Sequence, residues 1–363
     1  MNIVYGVVGE GMGHAMRSRV VIEHLIAEGH RVSIMASQRA VDYLTARFGR
    51  TERVGDVNPI HGMFMITEEN RIRLGKTLLL NALEGTVALP KQIAAYFDLL
   101  EEMEPDAVIS DFESWTHMFG ETHRLPTFCI DNMHIIARCT HPPEILEGQR
   151  VSFEMTKAFI KARNPWAEHY FITTFFFPPV RKDRTSLYPP ILRPEILAAK
   201  ASRGDHLLVY QTAGAHGALI DALQRCGLEC RVYGLRREIR EDEVEGNLCY
   251  RPFGEERFIE DLASARGVIA TAGFTLMGEC VYLGKPMLAV PLSGQFEQIM
   301  NARYLAYEGY GLSVPEIDAA AVRAFVTAIP AAEERLSRYS QDGNTLLFRA
   351  VDEHLDRVEA GFY

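Results

Sequence analysis

The chain has 363 residues, of which 47% are hydrophobic and 24% charged, and its formal net charge is −10. At ~150 residues per domain the length fits two domains, and the composition is that of an ordinary globular protein. The acidic balance argues against a general nucleic-acid binder, and no apolar run approaches the ~20 residues of a membrane helix.

Residues 2–8 read as a first strand and residues 9–14, Gly-Glu-Gly-Met-Gly-His, as a glycine-rich turn. A helix follows over about residues 15–27, stopped at Gly29, and residues 30–36 form a second strand, so the chain opens βαβ. The turn has some features of a dinucleotide fingerprint. Gly9 and Gly11 fit, but His14 holds the third glycine position, and Met35-Ala36-Ser37-Gln38 lacks the acidic residue expected there, which disfavours a dehydrogenase. Arg17, one turn on, either meets a phosphate or carboxylate or stands solvated on the helix face.

Residues 74–103 read as helical with breaks at Gly85 and Pro90, and residues 106–110 as a strand. Asp111 and Glu113 lie at that strand's C-terminal end, where open α/β sheets bind ligands. Asp111 either orients a catalytic histidine or caps a helix starting near Ser114. Residues 127–131 form the next strand, followed by Asn132 and His134. His117, His123 and His134 with Cys129 raise zinc, but their spacing fits no standard finger, so no metal is expected. A helix covers residues 152–163 and a strand residues 170–177. The Phe-rich end of that strand reads as buried, with peripheral membrane contact as the alternative. Residues 181–203, charged and proline-rich, read as an interdomain linker with a short helix near 197–203.

The second half starts with a strand at residues 206–211, a small-residue turn containing Gly214, Ala215 and His216, and a helix to Cys226. Strands follow at 229–233 and 248–251, the latter leading into Pro252-Phe253. Residues 267–301 are the most informative. They read as strand (267–271), turn (Ala272-Gly273-Phe274-Thr275), helix (276–283), strand (287–290), polar turn, and a helix carrying Gln298 and Asn301. That order implies a parallel sheet with both turns at strand C-termini. The first turn gathers N–H groups and the positive end of a helix, which suits a phosphate, and Gly273 permits close approach to the backbone. Glu279 offers a carboxylate to ribose hydroxyls; Gln295, Glu297 and Gln298 offer bonds to sugar hydroxyls. Residues 317–329 and 331–360 are helical.

On these residues the chain resembles the GT-B glycosyltransferases that use nucleotide sugars. Thr271-Ala-Gly273-Phe-Thr275-Leu-Met-Gly-Glu279 has the spacing of the donor motif of UDP-glycosyltransferases. Gly284-Lys-Pro286 and Pro291 match its next strand, and Glu297-Gln298 its paired polar residues. The lipid-linked N-acetylglucosaminyltransferase of peptidoglycan synthesis shares the layout. Thr271 stands where many relatives have His, and Thr275-Leu276 where they have Asn-Ser. The glycine loop with His14, and Gly29-His30 before the second strand, is similar to the N-terminal loop of the same enzymes.

The resemblance implies an α/β protein of two Rossmann-like domains facing across a cleft. Residues 1–180 would form the acceptor domain, 181–203 the linker and 204–340 the nucleotide-sugar domain, with residues 341–363 a helix packing back on the first domain. It implies inverting transfer of a sugar from a nucleotide-diphospho-sugar, UDP by default and dTDP next, to an acceptor hydroxyl. His14 is the expected base, at a helix N-terminus whose dipole favours the neutral imidazole, with Asp111 assisting; a purely local role in the loop is the alternative. Gly214, Ala215 and His216 fall on the loop near the donor diphosphate, and Phe253 falls where relatives seat the base. Gly11, Gly13, Arg17, Glu113, Asn132 and His134 make up the acceptor side.

The acceptor class stays open among a lipid, a glycan and a natural product. There is no Asp-x-Asp pair, so neither metal nor cofactor is expected, the nucleotide sugar being a substrate. A nucleotide-sugar epimerase or hydrolase on the same fold, and a non-catalytic nucleotide-sugar-binding subunit, are the competing readings. The six scattered cysteines form no Cys-x-x-Cys pair, and residues 1–8 have no basic start of a signal peptide. Both suit reduced thiols in the cytoplasm, with peripheral contact at the inner membrane face as the alternative.

Overall fold

The computed structural model describes residues 1–49, 51–60, 67–68, 71–72, 89–211, 217–236 and 238–363. The chain forms two compact α/β units. One comprises Met1–Thr67, Ile72–Ile191 and Asp342–Tyr363, the other Glu68–Arg71 and Leu192–Gln341.

The first unit holds β1 (Asn2–Val7), β2 (Arg31–Ser37), β3 (Val54–Ile60), β6 (Ala107–Asp111), β7 (Thr127–Asp131), β8 (His169–Thr173) and β9 (Thr185–Tyr188). The short β4 (Thr67–Glu68) and β5 (Arg71–Ile72) pair separately. The seven-stranded sheet runs β3-β2-β1-β6-β7-β8-β9, with parallel pairing throughout. Strands such as Ala107–Asp111 and Thr127–Asp131 are buried along their whole length, the mark of a parallel sheet covered on both faces. The order reverses between β1 and β6, and this switch point is where such sheets take ligands. Val7 and Asp111 are paired there in register.

The second unit holds β10 (His206–Tyr210), β11 (Glu229–Tyr233), β12 (Glu243–Glu245), β13 (Leu248–Arg251), β14 (Gly267–Thr271), β15 (Met287–Val290) and β16 (Gly311–Ser313). Its order is β12-β13-β11-β10-β14-β15-β16, parallel except for the β12–β13 edge pair. The switch point lies between β10 and β14, so it collects the turn after Thr271.

Each unit has its own apolar core. Leu347, Val351 and Leu355 of the last helix, Thr345–Glu359, pack with Ile3, Tyr5, Val21 and Ile34 in the first. His24 stacks on Phe348 at 4.0 Å and places Nε2 2.8 Å from Asp352 Oδ1, which fastens the same helix. Val322, Phe325 and Ile329 close the core of the second unit.

The expected linker over residues 181–203 is shorter than its composition suggests. Thr185–Tyr188 joins the first sheet as its edge strand, with Tyr170 N–H donating to Arg184 O and Thr174 N–H to Tyr188 O. The prolines at 189 and 190 follow this strand without interrupting it, which an edge tolerates. The short helix is Pro194–Ala198, started by proline at its first turn. The strand expected to reach residue 177 stops at Thr173, because the Thr174 hydroxyl bonds both the N–H and C=O of Phe176 and turns the chain. Phe175 and Phe176 are buried, whereas Phe177 and Val180 are exposed. β3 was not legible through Gly55 and Pro59; it is an edge strand with an irregular register against β2. The helix expected over residues 74–103 is described only as Leu89–Glu102. Among the described residues, no helix is long and apolar enough to cross a membrane.

Candidate active site

At the switch point of the first unit the chain leaves β1, turns through Gly9 and enters the helix Met12–Ala27 with Gly11 as its N-cap. The helix begins earlier than the sequence suggested, so Gly13 and His14 belong to its first turn. Gly9 is demanded by the fold: a Cβ there would lie 1.7 Å from the Ser37 carbonyl oxygen. Gly11 is not, since a Cβ there would meet nothing within 4 Å. No side chain caps this helix, and no acidic residue occupies its first turn.

Asp111, the last residue of β6, faces that helix and is fully buried. Its Oδ1 lies 2.8 Å from His14 Nδ1 and accepts from an Arg17 terminal nitrogen at 2.5 Å. Its Oδ2 accepts from Arg17 Nε at 2.8 Å and from the Ser18 hydroxyl at 2.9 Å. Burial alone would raise the carboxyl pKa, but the charges of Arg17 and then His14 outweigh it and hold Asp111 well below the usual range. Asp111 is therefore an acceptor only, and His14 Nδ1 carries the proton between them. The Arg17 nitrogen 2.7 Å from that same Nδ1 cannot also donate to it and serves the carboxylate. With Nδ1 turned to Asp111, Nε2 is the ring nitrogen on the far side of the imidazole from that carboxylate.

Several side chains assigned to the acceptor side from sequence have other partners. Arg17 is only 4% exposed and, besides Asp111, donates to Asn132 Oδ1. Glu113 is buried and caps the helix Ser114–Thr122, accepting from Trp115 N–H at 2.9 Å and Thr116 N–H at 2.7 Å. The capping role offered to Asp111 thus falls to Glu113. Phe112 between them takes a positive φ of 56°, which turns the two carboxylates to different tasks.

His134 is buried and bound to Asp131 twice, through its backbone N–H to Oδ1 at 2.9 Å and through Nδ1 to Oδ2 at 2.7 Å. Cys129, Asp131 and His134 bring ligand-type atoms within 4.8 Å of one another, and His117 Nδ1 is 3.7 Å from Cys129 Sγ. Ligands of one tetrahedral zinc stand roughly 3.3 Å apart, given bonds of about 2.0–2.1 Å. The Asp131–His134 contact is shorter than that and is a hydrogen bond. Burial, more than the nearby His134, pushes His117 down to about 4, so it is neutral at pH 7.

At the switch point of the second unit, β14 ends at Thr271 and the helix Phe274–Tyr282 starts with Gly273 as N-cap. This N-terminus repeats the features of the first: no side-chain cap, no acid in the first turn, and a glycine whose Cβ would meet nothing within 4 Å. Phe274 is buried and Thr275 partly buried. The next turn is internally braced. Gln298 accepts from Leu292 N–H at 3.0 Å and donates to Gln295 Oε1 at 2.7 Å, and Glu297 Oε1 accepts from Asn301 at 3.1 Å. Phe253, past the end of β13, is 62% exposed, with its ring 5.8 Å from Phe258 and 6.4 Å from Tyr210. A large exposed aromatic held by other rings is not a core residue. Gly214, Ala215 and His216 lie outside the described residues.

Glu279 is 2% exposed, and both its oxygens accept from Arg193: Nε to Oε1 at 2.8 Å and a terminal nitrogen to Oε2 at 3.0 Å. Arg193 also donates to Glu255 Oε1 at 2.5 Å. The sequence placed Arg193 in the linker and gave no sign of this partnership.

A profile described as Glycosyl transferase family 1 matches residues 1–330. The chain belongs to that family.

Within glycosyl transferase family 1, one similar protein is the UDP-N-acetylglucosamine--N-acetylmuramyl-(pentapeptide) pyrophosphoryl-undecaprenol N-acetylglucosamine transferase 1 of Bacillus thuringiensis (strain Al Hakam). It is 32% identical over 105 residues, which are 28% of this chain and 29% of that protein. The transferase of the same activity name from Alcanivorax borkumensis is 31% identical over 173 residues, 44% of this chain and 47% of that one. The matched region thus spans under a third of the first relative and about half of the second. Among solved structures, the calicheamicin glycosyltransferase CalG4 has a TM-score of 0.68 at 17% identity, with 98% of each chain covered. Acinetobacter baumannii MurG has a TM-score of 0.62 at 13% identity, covering 97% of this chain and all of that one. The fold is that of the GT-B glycosyltransferases.

Proposed function

We propose that this protein transfers a sugar from a nucleotide-diphospho-sugar, a UDP-sugar in the first instance, to an acceptor hydroxyl. The observation that carries the reading is the turn at Gly273: a helix N-terminus at a sheet switch point whose N-cap is a glycine at which a Cβ would meet nothing within 4 Å. Backbone N–H groups and the helix dipole favour an anion there. The exposed Phe253 ring on the same C-terminal edge of the sheet supports a base-stacking role, and the curated relatives are named for a UDP-sugar donor.

In the chemistry proposed, His14 Nε2 takes the proton of the acceptor hydroxyl while Asp111 holds Nδ1. The acceptor oxygen bonds to the anomeric carbon as the bond from that carbon to the diphosphate oxygen breaks, and the configuration inverts. The charge that develops on the departing diphosphate is met by the helix N-terminus at Gly273, without a metal. Gln295, Glu297 and Gln298 address the hydroxyls of the sugar. A lipid-linked acceptor accords with the relatives' names, and the exposed Phe177 and Val180 offer an apolar contact for a membrane surface.

The test is a thermal-shift screen of UDP- and dTDP-sugars, followed by mass spectrometry of the stabilising donor with lipid, glycan and aromatic acceptors. A glycosylated acceptor with release of the nucleoside diphosphate supports the reading. Stabilisation by no nucleotide sugar, or conversion of the donor to an isomer or free sugar as the sole activity, contradicts it.

A further inference from the structure

We infer that Arg193 is a positioning residue for the donor nucleoside, holding the ribose-binding carboxylate Glu279 and the turn that carries Phe253 in one register. The inference rests on the donor-site reading above and adds to it a residue that touches neither phosphate nor base.

Arg193 is the N-cap of the helix Pro194–Ala198, so its backbone is fixed by the proline that follows. The side chain is 4% exposed and runs to two helices of the same unit. Its fork meets Glu279 with two parallel bonds, in the second turn of the helix that begins at Gly273. A terminal nitrogen meets Glu255, the first residue of the helix Glu255–Ser264 and two positions past Phe253. One planar cation therefore ties the start of the helix beside the proposed base platform to the carboxylate beside the proposed phosphate turn. A lysine could not reproduce this, having neither the planar fork nor donors in two fixed directions.

The bonding count favours a role in recognition. A carboxylate has four lone-pair sites, two on each oxygen. Arg193 occupies one on Oε1 and one on Oε2, which leaves one acceptor site on each oxygen. A ribose 2′,3′-diol brings two O–H donors, the number that completes the set. Arg193 also opposes protonation of the group. Burial raises the Glu279 pKa above its ordinary value, and the Arg193 charge acts against that rise. Without the guanidinium, burial of Glu279 would be opposed by no bidentate cation, and its oxygens would lose two fixed donors.

The experiment is calorimetric titration of UDP and 2′-deoxy-UDP into the wild type, Arg193→Lys, Arg193→Gln and Glu255→Gln, with thermal unfolding of each. The wild type is expected to prefer UDP by about tenfold or more, the scale of losing a hydrogen bond to a charged acceptor. In Arg193→Gln that preference collapses to within about twofold, because UDP binding weakens while 2′-deoxy-UDP binding changes little. Arg193→Lys retains part of the preference, and Glu255→Gln, which leaves the Arg193–Glu279 fork in place, retains most of it. A purely structural salt bridge predicts otherwise: lower unfolding temperatures with the UDP to 2′-deoxy-UDP ratio unchanged, which would overturn the inference. Should Arg193→Gln not fold, the ratio in Arg193→Lys decides in the same way. Binding of neither nucleotide by the wild type would bring down the donor reading itself, and equal binding of both would remove the ribose role of Glu279.

Discussion

Asp111→Asn isolates the physics of the first-unit cluster. Asp111 is fully buried and accepts four hydrogen bonds, from His14, twice from Arg17, and from Ser18. Asparagine keeps one oxygen of similar shape but turns an NH2 group toward donors on the other side. It also leaves the buried Arg17 guanidinium facing a neutral amide. Removing one partner of a buried pair costs about 3–5 kcal/mol. At about 2–4 °C per kcal/mol for units of this size, the unfolding temperature should fall by roughly 10 °C. The assay is urea unfolding at several pH values with the double variant Arg17→Met/Asp111→Asn alongside. Most of the loss should return in the double variant, because the uncompensated charge is gone. The pH dependence has a defined sign. The folded pKa of Asp111 lies below the unfolded value of about 3.9. The stabilisation is therefore complete above the unfolded value and is lost as pH falls through the depressed folded one. The gap between wild type and Asp111→Asn should be widest near neutrality and narrow below about pH 4. A gap under ~1 kcal/mol at pH 7, or one that does not change with acid, would refute the claim that a buried ionised carboxylate organises this cluster.

His14→Ala should leave UDP affinity within about twofold and lower turnover by about 10²–10⁴, the range for loss of a general base; near-normal turnover would remove His14 from the mechanism. Gly273→Ala should unfold within about 1 kcal/mol of the wild type, since its Cβ meets nothing within 4 Å, yet bind UDP more weakly in titration; unchanged affinity would detach this turn from the donor. Phe253→Ala should leave stability within ~0.5 kcal/mol and cost about 1–3 kcal/mol of UDP binding, the scale of a base–aromatic stack. Lys285 donates to the backbone carbonyls of Ser202 and Ala265 at 2.5 and 3.0 Å, and burial pulls its pKa down to about 8. Between about pH 8 and the unfolded value near 10.4 the unfolded chain holds more protons, so stability should gain with rising pH there relative to Lys285→Met; identical pH slopes in denaturant unfolding would contradict the assignment.

The parts of the fold carried by local signals were legible. The apolar runs of β14 and β15, the small-residue turn at Gly273 and the stop at Gly284 each act within a few residues of chain, and the unit they form is the one the sequence suggested. The charged partnerships were not. Arg17 and Asp111 are 94 positions apart and Arg193 and Glu279 are 86 apart. Nothing in either neighbourhood says which carboxylate will lie under which guanidinium until the sheets are assembled. The division of labour between Asp111 and Glu113 was hidden for a different reason. Both lie at the strand end, and a one-residue turn at Phe112, in a conformation that a phenylalanine seldom takes, decides which one caps. β9 was obscured by the prolines beside it, since sequence pattern cannot separate an edge strand from an extended linker.

The central claim is that the Leu192–Gln341 unit grips an activated nucleotide through turns that begin helices. Amide hydrogen exchange with and without saturating UDP tests it most directly. The account predicts slowed exchange in peptides covering residues 271–282 and 291–301, together with those after β13 around Phe253. Unchanged exchange throughout these segments with UDP demonstrably bound, or protection confined to the unit built on the first 191 residues, would contradict it.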